Sequence, residues 1–333
     1  MKKTFLQRMQ PHSKSMFSRR AFLSGMLAAA AAASTASRLI GQTAAAASTA
    51  TSPPAGNFLV RTPNGLMLAA QAQGDPAAPE ILLIHGLGQC HLIWERQLRA
   101  PALAGYRLVS FDLRGHGDSD KPTDEAAYTD GTRWGDDVAA VIAAAALRRP
   151  VLVGWSLGGP VILNYLLKHG GTQVAGLNLV NAVTHFGADL LRPEAIKFAR
   201  GLGSDDLAVR SQAIAEFLEG CFASPPPPDE FKRMLAFNGM VPRVVQRSVG
   251  KISDAGYDEV LSRFDGPLLV TFGAKDRHLF PKMAERVHDL NPRAQLSIYP
   301  ESGHSPFYEN PSRFNQELAK LVDGTVKSQR NDR

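Results

Sequence analysis

Residues 151–160 read VLVGWSLGGP, an apolar run that breaks into a serine set between glycines. The stretch from Val151 to Trp155 predicts a strand buried on both faces. From about Leu157 a helical pattern runs to 168 and is closed by Gly170 and Gly171. Pro160 is tolerable in the first turn of that helix, where its missing N–H has no helical partner. Gly154-Trp155-Ser156-Leu157-Gly158 therefore lies between strand and helix, the context in which G-x-S-x-G holds a nucleophile out of the chain on a strained turn. A plain tight turn would use the same small residues. The pentapeptide gains chemical meaning only if a base, an acid and an anion-stabilising site stand at matching places.

A serine hydroxyl is a weak nucleophile until a base takes its proton, and the base needs an acid to fix its tautomer and stabilise its charge. Behind a nucleophile elbow the acid and then the base follow the serine in the chain. The segment TFGAKDRH (271–278) puts Asp276 just past a predicted strand, and YPESGHSPFYENP (299–311) puts His304 just past the last one. Both fall at carboxyl ends of strands, the edge that carries Ser156 and where open α/β sheets keep their sites. Asp265 precedes its strand, and Asn181 has no charge to offer. His278 and His288 fall in a loop and a helix that begin the next crossover, while His85, inside IHGLG (84–88), reads as a structural hydrogen-bonder. Two backbone N–H groups, those of Leu157 after the serine and Leu87 in the HGLG turn, are the expected donors to a developing oxyanion. FDLRGHGDSD (111–120) reads as loop scaffolding near the pocket rim.

Outward from the elbow, short apolar runs alternate with amphipathic helical patterns. NFLVRTPNGLMLAAQAQG (57–74) predicts a hairpin around Pro-Asn-Gly. Strands are expected at 81–86, 107–112, 151–155, and in GLNLVNA, PLLVTFG and QLSIYP, with helices around 92–104 and 132–147. This is an α/β fold with a mostly parallel central sheet covered by helices on both faces. The alternation stops at 183–265, a charged helical stretch interrupted by SPPPP (224–228), which reads as a rigid connector. The predicted organisation is a core of 57–182 and 266–325 with 183–265 as a helical cap insertion, preceded by a flexible lead-in at 48–56. The insertion leaves the sheet after LVNA, at the carboxyl-end edge that carries Ser156, and returns at PLLV. Some of its apolar side chains, among them Phe198, Phe217, Leu218, Phe222, Phe231, Met234, Leu235 and Phe237, should therefore line a pocket preferring apolar groups. Trp155, Trp94, Phe217 and Phe222 are the pocket candidates.

The net charge of +6 belongs to the first 47 residues, which hold seven Lys or Arg and no acid; of 37 basic residues, 30 remain against 31 acidic ones. No nucleic-acid partner is expected of the rest. The leader reads as an export signal: SRRAFL (18–23) with the pair Arg19 and Arg20, the apolar run 21–33, and TAAAASTA (43–50) with several A-x-A cleavage sites. It resembles a twin-arginine signal, which implies the export machinery as a partner of the precursor and a periplasmic or secreted destination. The thirteen-residue run 21–33 is too short to span a bilayer, and no stable membrane insertion of the mature chain is expected. An oxidising compartment would permit a bridge between the two cysteines, Cys90 and Cys221; the alternative is two buried small hydrophobes. Neither G-x-G-x-x-G nor a zinc-spaced Cys/His cluster stands out, so no cofactor and no metal is expected.

On HGLG, DLRGHGDSD, GWSLGG, GAKD and GHSPFYENP, the chain from about 57 to 325 resembles the α/β-hydrolase superfamily. Within it, the chain looks like the cofactor-free group of non-haem haloperoxidases, esterases and C–C bond hydrolases. The resemblance implies the α/β-hydrolase fold and a Ser156–Asp276–His304 triad acting on a small-molecule acyl substrate. A serine at the elbow, where alkyl-enzyme chemistry needs a carboxylate, makes attack on an acyl carbonyl the expected reaction. Cleavage of a small or medium apolar ester through an acyl-enzyme on Ser156 leads; peracid formation or C–C hydrolysis would use the same residues. A non-catalytic ligand-binding protein on this scaffold usually lacks a triad member, and all three are present here.

Overall fold

Alternate residues of the buried strands divide between two cores, and that division orients the loops beyond them. In the computed structural model, which describes residues 54–331, Ile81 and Leu83 join Trp94, Phe307 and Leu318, while Leu82 and Ile84 join Val138, Val141 and Ile162 on the other face. A period of two with both faces apolar makes a doubly covered sheet. The leader read in 1–47 and residues 48–53 of the lead-in lie outside the described residues.

The strands are β1 (Gly56–Arg61), β2 (Met67–Gln73), β3 (Glu80–Ile84), β4 (Arg107–Phe111), β5 (Val151–Trp155), β6 (Gly176–Val180), β7 (Leu268–Gly273) and β8 (Gln295–Tyr299). They form one sheet in the order β1-β2-β4-β3-β5-β6-β7-β8. The β1–β2 hairpin and the β2–β4 pair are antiparallel, and every other neighbouring pair is parallel. From β3 the chain passes to β4 on one side and returns to β5 on the other. Such a reversal opens a crevice at the carboxyl ends of the strands. Helices Gly131–Ala144, Gly158–His169 and Lys282–Leu290 pack on one face, and Pro311–Asn331 packs on the other. Among the described residues no helix is long and apolar enough to cross a membrane.

The helix expected around 92–104 is three short pieces: a 3₁₀ turn His91–Trp94, one α turn Glu95–Leu98 and a second 3₁₀ turn Pro101–Leu103. Pro101, which lacks an N–H, cannot continue the helix and starts the last piece. The stretch 183–265 adds no strand to the sheet and holds five α-helices, Pro193–Leu202, Leu207–Gly220, Pro228–Gly239, Arg243–Ser248 and Tyr257–Arg263, with a 3₁₀ turn Val249–Lys251 after the fourth. The proline run ends as the first residue of a helix, where proline's fixed φ helps and its missing donor costs nothing. The last helix packs sideways on Gly158–His169, where Asn164 Nδ2 donates to Tyr257 Oη at 2.6 Å.

The 111–120 segment braces the scaffold. Arg114 and Asp137, both fully buried, make a two-pronged ion pair through Nε and Nη2 at 2.7 Å each. The same guanidinium donates to the carbonyls of Ala127 and Arg133, both at 2.9 Å. Removing one charge strands the other in a dry interior, at a cost of about 3–5 kcal/mol. Arg114→Met is accordingly expected to lower the urea unfolding free energy by that amount, and Arg114→Met/Asp137→Leu should recover most of the loss.

Candidate functional site

Ser156 is one of three non-glycine residues with positive φ among those described, at 53°. Its N–H donates to Val180 O at 3.1 Å, which ties the turn to the neighbouring strand end. A Cβ on Gly154 would sit 2.6 Å from Gly158 O, and one on Gly158 would sit 2.7 Å from Ile84 O. Both positions therefore require glycine, because backbone fills the space a methyl group would need. The half-buried serine opens on a cavity of about 620 Å³ that His304, Leu87 and Leu157 also line. Its hydroxyl has no hydrogen-bond partner among the described residues. Neither do the backbone N–H groups of Leu87 and Leu157.

His304 is buried, with Nδ1 2.7 Å from Asp276 Oδ2. An ionised carboxylate can only accept, so the ring proton sits on Nδ1 and Nε2 is the free acceptor. Asp276 also receives Asn181 Nδ2 at 2.7 Å and the N–H groups of His278 and Leu279 at 2.6 and 3.2 Å. Burial pushes the Asp276 carboxyl upward, but His304 and the converging donors outweigh it and hold the group below the ordinary carboxylate range.

Sequence reasoning weighed Asn181 only as a rival acid. The structure makes it a bracket: its Oδ1 accepts Gly273 N at 3.1 Å and its N–H donates to Thr271 O at 2.8 Å while the amide holds Asp276. Its φ of 38° bends the β6 exit toward β7. The available signal was its place at a strand's carboxyl end. His278, set aside as a loop residue, lines the cavity with its ring 4.7 Å from that of His304, centroid to centroid. Phe198 and Phe217 pack on it, and its Nε2 lies 3.5 Å from Cys221 Sγ. Burial, reinforced by the His304 charge, lowers its pKa to about 3.

Of the four pocket candidates only Phe217 lines the cavity. Alternation along β5 sends Trp155 with Val151 and Val153 into the second core, where its Nε1 donates to His304 O at 2.7 Å and so anchors the His304 backbone. Trp94 packs on Phe307 at 4.3 Å, and Phe222 packs on Tyr308 at 5.2 Å, both behind the wall. Phe198, Leu218 and Met234 are likewise buried in packing. The insertion's contribution comes instead from residues such as Leu191, Ile196, Leu202 and Val249.

The 111–120 segment does not reach the cavity rim; it acts one layer out. Asp112 accepts His91 N at 2.6 Å and Asp118 N at 2.8 Å, which ties its loop to the one that carries Leu87. His85 bridges Gly86 O and Leu113 N as a structural residue. Cys90 and Cys221 are both free and buried. Among the described residues no group of three His, Cys, Asp or Glu side chains is disposed to hold a metal ion.

Residues 81–317 match the family described as "Alpha/beta hydrolase family". A pimeloyl-[acyl-carrier protein] methyl ester esterase of Neisseria meningitidis serogroup B (strain H44/76) is 31% identical over 261 residues, 75% of this chain and 95% of that protein. Among solved structures, a candidate aryl esterase from Burkholderia cenocepacia is 39% identical with a TM-score of 0.78, over 81% of this chain and 99% of that one. Esterase RhEst1 from Rhodococcus sp. ECU1013 is 31% identical with a TM-score of 0.72, over 80% and 98%.

His278 supplies a pH test. Its ordinary value is near 6.5, so the unfolded chain takes up a proton there as pH falls, whereas the folded ring stays neutral until about 3. Stability contributed by the neutral ring is thus present above about pH 6.5 and drains away by up to about 1.4 kcal/mol per pH unit below it. His278→Gln should flatten the fall in unfolding free energy between about pH 5.5 and 4 by that slope, read from urea titrations at each pH.

Proposed function

We propose that this chain, which belongs to the alpha/beta hydrolase family, is a serine hydrolase of carboxylic esters that works through an acyl-enzyme on Ser156. The observation that carries the reading is the unpartnered Ser156 hydroxyl on its positive-φ turn, sharing one cavity with the His304–Asp276 pair and with two backbone N–H groups that lack acceptors. The ester relatives support the same reaction class.

In this reading His304 Nε2 takes the serine proton as Oγ attacks the ester carbonyl. The negative charge moves to the carbonyl oxygen, which lies between the N–H groups of Leu87 and Leu157. The tetrahedral intermediate collapses, His304 gives its proton to the departing alkoxide, and the alcohol leaves the acyl group on Ser156. Water then repeats the sequence: His304 takes its proton, the acid leaves, and Ser156 regains its hydrogen. Asp276 remains ionised throughout, fixing the ring's tautomer and stabilising the imidazolium. The serine–histidine hydrogen bond tightens with substrate bound, as free enzymes of this class commonly leave it long.

Leu87, Leu157, Leu191, Ile196 and Phe217 give the cavity an apolar wall, which favours apolar acyl or alcohol groups. We read 183–265 as the cap that sets this preference. Ser156→Ala and His304→Ala should each cut ester hydrolysis by roughly three orders of magnitude or more, with the double variant little worse than either alone. A fluorophosphonate should label the wild type at Ser156, located by peptide mass; full activity in Ser156→Ala would overturn the assignment.

We also propose that Arg19 and Arg20 direct export of the precursor by the twin-arginine route. Changing both to Lys should leave precursor in the cytoplasm on fractionation. Unaffected delivery would point to another route.

A further inference from the structure

The cavity wall is divided by charge. Around Ser156 it is apolar, but where it meets solvent it carries Arg200, Arg247 and Lys251, all exposed, and no lining residue is acidic. Two of these cations have outward-facing partners: Lys251 pairs with Glu125, and Arg247 Nη1 lies 3.5 Å from Asp205 Oδ1. Asp205 is shared with Arg243, so one carboxylate answers two guanidinium groups. Arg200 has no carboxylate partner among the described residues. Both acids are more than half exposed and stand outside the lining, where water screens them. The mouth therefore presents uncompensated positive charge to a low-dielectric chamber, and such walls focus the field on what enters.

A neutral apolar ester gains nothing from three cations beside its exit. An ester with an anionic group at the far end of an apolar spacer satisfies both halves of the wall, because its carbonyl reaches the serine while its head stays at the mouth. Guanidinium groups suit carboxylate and phosphate alike, since each can accept two parallel N–H donors.

We propose that the mouth formed by Arg200, Arg247 and Lys251 is an anion subsite, and that preferred substrates are esters whose apolar chain ends in a carboxylate or phosphate. The proposal rests on the reading of Ser156 as an ester-cleaving nucleophile.

The test compares three methyl esters of one chain length on the full mature protein: methyl octanoate, monomethyl suberate and the methyl ester of 8-phosphonooctanoic acid. At low salt the anionic esters are expected to exceed methyl octanoate in kcat/KM by about tenfold or more. That ratio should shrink in 0.5 M NaCl and fall toward one in Arg200→Ala and in Arg200→Ala/Arg247→Ala. Whichever anionic ester leads identifies the source, a free half-acid or a phosphate-bearing chain. A direct binding readout uses Ser156→Ala protein and monomethyl suberate in calorimetry, with affinity lost again when Arg200 is replaced. A wild-type ratio of one or below, or a ratio that survives both arginine replacements, overturns the subsite. If no ester turns over and fluorophosphonate fails to label Ser156, the reading of the serine has failed instead, and the calorimetric arm still decides whether the mouth binds the anion.

Discussion

Ser156 holds a φ of 53° with a side chain attached, a conformation that costs of order 1–3 kcal/mol and persists only where the surroundings over-determine it. Here they do so by exclusion. Gly158 O and Ile84 O occupy the places where Cβ atoms of Gly154 and Gly158 would stand, so the β5 exit, the following helix and the β3 exit close on one another without side chains between them. That approach brings the Leu87 and Leu157 N–H groups to one cavity. The strained turn, the two N–H groups and the open Ser156 hydroxyl are thus gathered by one steric constraint.

His304 is fixed from behind by groups that do not line the cavity. Trp155 precedes Ser156 by one residue, and strand alternation therefore points it into the opposite core, where its indole N–H holds His304 O. Glu309 does similar work one loop away: its carboxylate collects Gly303 N and Ala223 N, both at 2.7 Å, joining the loop before His304 to the insertion. Asp276 meets four donors from three chain segments, which leaves its oxygens little freedom and the imidazole a single orientation.

Much of this was legible in the chain. Buried parallel strands announce themselves as apolar runs, and their carboxyl ends are single positions, so the placement of Leu87, Ser156, Asp276 and His304 just past strand ends follows from counting. What failed was inference from residue type. Large aromatics suggested a pocket wall, yet Trp94, Trp155 and Phe222 fill the second core, because the bulkiest apolar side chains are those with most to gain from complete burial. The wall falls to half-buried residues such as Ile196 and Phe217, whose intermediate exposure no periodicity of one sequence encodes. Asn181 was missed for another reason: its role depends on β6 lying beside β7, a neighbour relation that sequence order alone does not specify.

The 183–265 stretch and the loops that carry Asp276 and His304 share contacts tight enough that the cavity's shape and the His304–Asp276 geometry are linked. Leu191 bridges Leu279, Arg192 N donates to His278 O at 2.9 Å, and Phe280 N donates to Leu190 O at 3.0 Å, so the start of the insertion is laced to the loop that holds Asp276. Phe217 packs on His278, and His278 packs on His304. A side chain that enlarges or fills the cavity at Phe217 therefore presses, through one intervening ring, on His304. Because close-packed interiors transmit displacement instead of absorbing it, the insertion is both a wall of the cavity and part of the frame around His304.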